Sequence, residues 1–238
     1  MDVVKSSELN PAKTEFMWAA SSNRQHLIDH SPINVAGADI TPSSGVKLLG
    51  FHIDEDLSLV TQIGKTVSSV FFHLRQIKAI RKCIPTDAAR SLVNAFIVSR
   101  LDYCNSIYAG LPQTQMDRLQ LVFNAAARLI FGVARDSHIT PLLRDRLHWL
   151  RVKERVTYKL CVIVLKSLHG MAPAYLSEMC VQVCDGRRAT LRSATASRAA
   201  SAAGRLVEPK RTTRTMYGER AFAVAGPAAL HNLPLISD

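Results

Sequence analysis

Long apolar runs are missing from this 238-residue chain. Stretches such as Leu160–Leu165 end after six residues, against the roughly 20 that a bilayer-crossing helix needs, so no membrane span is expected. The opening Met1-Asp2-Val3-Val4-Lys5 has no basic segment leading into an apolar one. No secretory signal is legible, and an intracellular setting, cytoplasmic or nuclear, is the expectation. Cysteine is scarce as well: Cys83, Cys104, Cys161, Cys180 and Cys184 are odd in number, scattered and never spaced as Cys-x-x-Cys, which argues against a disulfide framework or a zinc ribbon. Glycine-rich phosphate loops, His-Glu-x-x-His and Gly-x-Ser-x-Gly are all absent, so nucleotide hydrolysis by a P-loop and the common hydrolase mechanisms have no residues to rest on.

Acidic residues are the other shortage. There are 19 Asp and Glu against 30 Lys and Arg, a formal charge of +11. Nine basic residues stand against Glu208 and Glu219 between Gly186 and Arg220. Such a segment attracts polyanions, nucleic acid first and acidic membrane surfaces second; a solvated arginine-rich loop is the plain alternative. Hydrophobic residues make up 47% of the chain, enough for a packed core.

What is present changes period along the chain. Thr14–Ala20 and Val46–Ile53 are short apolar stretches separated by Pro32, Gly37, Pro42 and Gly45, the punctuation of a small antiparallel β element of about three strands. From Ser58 the period becomes helical: Leu59, Ile63, Val67, Val70, Leu74 and Ile77 share a face that Ser58 would cap. A second helix is expected from Asp87 to about Tyr108 on the stripe Val93, Ile97, Leu101, Cys104 and Tyr108. A third carries Met116, Leu119, Phe123, Ala126 and Ile130 and ends at Gly132. Thr140-Pro141 starts a short one, and Val152–Leu168 makes another that stops at Gly170. The expected fold is α+β and predominantly α-helical: a β element over 1–57, a bundle of about five helices over 58–180, and an irregular, arginine-rich, partly disordered segment over 181–238 in which Ala221–Leu235 folds back onto the bundle.

Titratable clusters are few. His26 and His30 are four apart, the spacing of one helix face, but have no third metal ligand near them. Asp54-Glu55-Asp56 suits a cation on spacing alone, yet it directly precedes the first helix, where acids favourably meet the helix N-terminus. His138, His148, His169 and His231 fall at turns or helix ends. Cys180 and Cys184 read as small apolar residues, and Trp18 and Trp149 as packing residues rather than base-stacking platforms. No cofactor and no metal site is expected.

The order of several short motifs adds a resemblance. Asn10-Pro11-Ala12-Lys13-Thr14-Glu15-Phe16 followed by Val46-Lys47-Leu48-Leu49-Gly50-Phe51-His52-Ile53-Asp54 resembles the end of the palm in reverse transcriptases of non-LTR retrotransposons of the jockey and chicken-repeat kind. Arg100-Leu101-Asp102-Tyr103-Cys104-Asn105, Asn124–Ile130, His138–Leu143 and Leu147-His148-Trp149-Leu150 are similar to the helices that follow. Gly218–Phe222, Ala225-Gly226-Pro227 and Asn232-Leu233-Pro234 are similar to the family's closing segment, with Leu230-His231 where a tryptophan is usual.

The resemblance implies roles. Lys13 would stand near the incoming nucleotide as a remnant proton donor to pyrophosphate, Leu49 and Gly50 would form the tip of the primer grip, and the helices would be a thumb holding template–primer through phosphates. The family's two-metal aspartates lie upstream of Asn10, and no residue here matches them. The expectation is therefore a catalytically incomplete reverse-transcriptase fragment, not an enzyme by itself. Non-specific binding of RNA, DNA or their hybrid would run through Lys13, Leu49, Gly50, Arg187, Arg188, Arg192 and Arg198. The alternatives are a helical protein–protein module that self-associates through a palm-facing surface, or an inert relic.

Overall fold

The computed structural model of the chain describes Asn10, residues 13–180, Leu206 and residues 216–233. The fold is α+β and predominantly helical, two small antiparallel sheets near the N-terminus preceding the helices. Two compact units divide the chain, residues 1–71 and 72–238, and the boundary falls inside the first long helix.

Turn chemistry shapes the first unit. Ile33–Val35 (β1) and Ala38–Ile40 (β2) pair with Ile33 opposite Ile40. They are joined through Ala36 and Gly37, both at positive φ, the geometry that suits a two-residue hairpin. Asn34 braces this turn, donating to Asp39 Oδ1 at 2.7 Å and accepting the Gly37 N–H at 3.2 Å. Gly45–Leu48 (β3) and Phe51–Asp54 (β4) form the second hairpin, Leu48 opposite Phe51. The β region is thus two separate hairpins, not one element of three strands. Thr14–Ala20 is not a strand. Its backbone makes single bonds, Ser43 N–H to Phe16 O at 2.9 Å and Ala20 N–H to Glu55 O at 3.0 Å, where a strand needs a repeating ladder.

Helix α1 (Val60–Ile80) follows. Asp54 Oδ2 accepts the Thr61 N–H at 3.2 Å, Ser58 Oγ accepts the Val60 N–H at 3.4 Å, and Asp56 Oδ1 accepts the Ser58 N–H at 3.0 Å. Asp54 therefore satisfies a donor of the helix start, while Asp56 holds the turn that leads into it. In the first unit Phe51, Leu59, Ile63 and Val70 are buried. Gln62, also buried, accepts the His52 N–H at 3.0 Å and donates to Thr66 Oγ1 at 3.1 Å, so neither of its polar atoms is stranded.

In the second unit α1 continues with Leu74 and Ile77 buried. The next helix is built from α2 (Thr86–Val93), a π-helical stretch Asn94–Val98, and α3 (Ser99–Asp102). It ends six residues short of the expected Tyr108, because Tyr103 is extended and Cys104 left-handed at φ 54°. The cause is Asp102. Its Oδ1 accepts Arg155 Nε at 2.8 Å and Asn105 Nδ2 at 3.2 Å, and its Oδ2 pairs with Arg155 Nη2. A two-pronged guanidinium–carboxylate pair fixes direction as well as distance, and the chain turns around it. Tyr108 is buried all the same, on the 3-10 turn Asn105–Tyr108.

Helix α4 (Gln113–Phe131) buries Met116, Leu119, Phe123, Ala126 and Ile130 and ends at Gly132, φ 65°. Arg81 covers its exposed carbonyls, Nε reaching Leu129 O at 3.0 Å and Nη2 reaching Ile130 O at 2.7 Å. The short helix after Thr140-Pro141 is π-helical over Leu142–Arg146. Helix α5 (Val152–Leu168) has its first N–H accepted by Gln120 Oε1 at 2.9 Å, and the chain reverses at Gly170, φ 67°. After α6 (Ala174–Ser177), α7 (Met216–Arg220) leads into α8 (Phe222–His231). Phe222 and Leu230 of α8 pack on Val164 of α5, Cys180 and Leu206. The fit is close at Gly226, where a Cβ would lie 2.9 Å from Val164 Cγ2.

Candidate nucleic-acid interface

In the first unit, Lys13 sits on a real turn. Its N–H donates to Asn10 O at 3.0 Å, and Thr14 Oγ1 donates to the same carbonyl at 2.9 Å. The side chain of Lys13 is exposed. Carbonyl capture by the following Thr hydroxyl explains locally why Asn-x-x-Lys-Thr folds as a turn.

Leu49 and Gly50 occupy the two-residue tip between β3 and β4, at φ 49° and φ 86°. Both central residues of this tight turn need positive φ, which glycine adopts freely and leucine does not. Leu49 is 85% exposed and its neighbour Leu48 61%. A leucine disfavoured both by its backbone and by water is a departure from good local design, and such departures gather at working sites.

A cationic group flanks that tip. Lys47 on β3 is opposite His52 on β4, and Lys65 of α1 brings Nζ to 3.0 Å from His52 Nε2 and 3.2 Å from Nδ1. Partial burial first, then the charges of Lys65 and Lys47, hold the His52 imidazole below its ordinary value, with Asp54 opposing. Two ammonium groups near a neutral imidazole, offset in part by Asp54, leave a net positive charge at the base of an exposed apolar tip. That combination fits a polyanion with apolar faces, as a nucleic acid has.

No protein-family model, curated protein or solved structure matches the chain.

Within the first unit, then, Lys13 stands at one turn and Leu49 and Gly50 at another. Arg187, Arg188, Arg192 and Arg198 lie outside the described residues, as does Cys184. No helix among the described residues is long and apolar enough to cross a membrane. His26 falls on a 3-10 segment, Ser22–Leu27, that ends before His30, so the two do not share an α-helical face. Among the described residues no three His, Cys, Asp or Glu side chains are grouped to hold a metal ion. His169 hydrogen-bonds Leu165 O at 2.7 Å, and His231 Nε2 accepts the Leu206 N–H at 3.1 Å. Burial raises the thiol pKa of both Cys161 and Cys180, which keeps them protonated and unreactive. Trp149 packs on Phe123 at 4.7 Å between ring centroids.

Sequence reasoning passed over a second basic stretch. Between Asp56 and Asp102 the only acid is Asp87, against Lys65, Arg75, Lys78, Arg81, Lys82, Arg90 and Arg100. A charge count in moving windows would have found it. These cations are spread at helical spacing and so never form a run. Structure divides them: Arg81 is turned inward onto α4, Arg90 donates to Arg146 O at 2.7 Å, and Arg75, Lys78, Lys82 and Arg100 are exposed.

Proposed function

We propose that the chain is a non-catalytic, template–primer-holding portion of a retrotransposon reverse transcriptase, and that it binds nucleic acid non-specifically through phosphates. The observation that carries this reading is the β3–β4 hairpin. Its strained, exposed Leu49 is the tip of a hairpin whose strands carry Lys47 opposite His52, with Lys65 reaching the His52 ring, a combination that supports a grip on a strand's backbone. The motif resemblance supports the same assignment, with Lys13 on its turn. Asp54, the last residue of β4, accepts the Thr61 N–H of α1, and Asp56 accepts the Ser58 N–H just before it, engagements that favour grip over metal-assisted phosphoryl transfer.

The test is a titration of the full 238-residue chain against a fluorescent blunt RNA–DNA hybrid at several salt concentrations. It is run beside K47A/K65A and beside a variant with Arg187, Arg188, Arg192 and Arg198 changed to alanine. The expected result is affinity falling steeply with salt, with a log–log slope smaller by about one for each phosphate contact removed. Absence of binding at low salt, or slopes identical in all three proteins, defeats the proposal.

A further inference from the structure

The second unit carries an aromatic group that its core does not use. Phe72 and Phe96 are 50% and 44% exposed. His73 stands between them, edge-on to Phe72 at 5.4 Å and stacked on Phe96 at 5.5 Å with 25° between the planes. Rings gathered for core packing are buried; here His73 meets both phenylalanines while those two keep about half their surface in water. Phe96 lies on the π-helical stretch Asn94–Val98, a helix irregularity that is rare and is frequently found at functional sites. Arg75 follows Phe72 by three residues and Arg100 follows Phe96 by four. Each is exposed and about one helical turn from a ring.

Charge decides what can cover this surface. Apart from Asp87 no acid occurs between Asp56 and Asp102, so a second copy docked face to face would set cations against cations, which disfavours that contact. An anionic partner with flat apolar faces meets both halves of the surface. Bases inside a duplex are stacked on each other and offer no free face, whereas unpaired bases do.

We infer that Phe72, His73 and Phe96 form a stacking platform for unpaired bases of a single strand, with Arg75 and Arg100 taking the adjoining phosphates. The inference rests on the nucleic-acid reading above and deepens it: the partner of this face is single-stranded RNA or DNA, such as an unpaired template extension, rather than duplex.

Two fluorescent probes separate this idea from the broader reading: a short oligouridylate and the blunt RNA–DNA hybrid, each titrated with wild type, F72A, F96A and F96W. Each alanine variant is expected to weaken oligouridylate binding about tenfold, the effect of removing one base–aromatic stack. Hybrid affinity stays within error of wild type. F96W keeps or tightens oligouridylate binding, and its indole fluorescence is quenched on titration. This rescue separates stacking from damage to the fold. Hybrid binding with no effect of F72A or F96A on oligouridylate overturns the platform and leaves the duplex grip standing; oligouridylate binding that needs Phe96 without any hybrid binding does the reverse. If neither probe binds, both fail. F96A turning a self-associating wild type into a monomer, with strand binding unchanged, assigns the face to protein contact and overturns the inference.

Discussion

Leu49 is the clearest conflict between a residue and its surroundings. Left-handed backbone disfavours a leucine by about 1–2 kcal/mol relative to glycine or asparagine, and at 85% exposure its side chain recovers almost nothing from burial. L49N, which creates the Asn-Gly pair that this turn type favours, is expected to raise unfolding free energy by about 1 kcal/mol in urea titrations while weakening hybrid binding. Gain of stability with unchanged binding would remove Leu49 from the grip. His52 gives a second residue-level prediction. Partial burial and the lysine charges hold its pKa down, so folding favours the neutral ring. That contribution is present above the ordinary histidine value and is lost as pH falls through the lowered one. K65A removes the larger of the two repulsions, and NMR titration of the ring protons should show the His52 pKa rising part of the way back, because burial remains. No rise would mean that Lys65 does not face the ring in solution.

At the scale of elements, the close seat of α8 on α5 depends on one missing side chain. G226A places a methyl 2.9 Å from Val164 Cγ2, and overpacking of this kind destabilises by about 1–3 kcal/mol. V164A/G226A should recover most of that loss in the same unfolding assay; a double variant as unstable as the sum of the two singles would show that the seat is set elsewhere. Helices α1, α4 and α5 were legible in the sequence, because Leu59, Ile63 and Leu74, or Met116, Leu119 and Phe123, repeat at the helical spacing and are all buried. The end of α3 was not. It is set by Arg155, which lies 53 residues beyond Asp102, and no local pattern carries that information. The hairpin tip was not legible in the apolar pattern, which runs through Val46–Ile53 as one stretch, and came only with the resemblance; the cationic group near it was not legible either, since Lys65 reaches His52 only when α1 folds against β4. The Phe72–His73–Phe96 surface escaped for a related reason: Phe72 and Phe96 lie off the apolar stripes of their helices, and only the structure brings Phe96 onto His73.

Across the whole molecule, stability is unevenly spread. The β1–β2 hairpin contains no buried residue, and a two-stranded ribbon is marginal by itself. α4 alone buries seven. Hydrogen exchange read by mass spectrometry should therefore label the β1–β2 amides orders of magnitude faster than those of α4 and α5; equal protection would contradict the burial pattern. The π-helical stretch has a consequence of another kind. Ala89, Val93, Ile97 and Leu101 are all buried although they recur strictly every fourth residue. In an unbroken α-helix each such step overshoots a full turn by about 40°, so three steps would swing the last of them about 120° off the inner face. One surplus residue in the wide turn between Asn94 and Val98 takes back about 100° of that drift, bringing Leu101 inward again and aiming Asp102 at Arg155. Deleting Ala95 would therefore remove the surplus and not the phase: eleven steps of an unbroken α-helix bring Leu101 to within about 20° of the inner face, so the ion pair that ends α3 keeps its angle while the wide turn that carries Phe96 is lost.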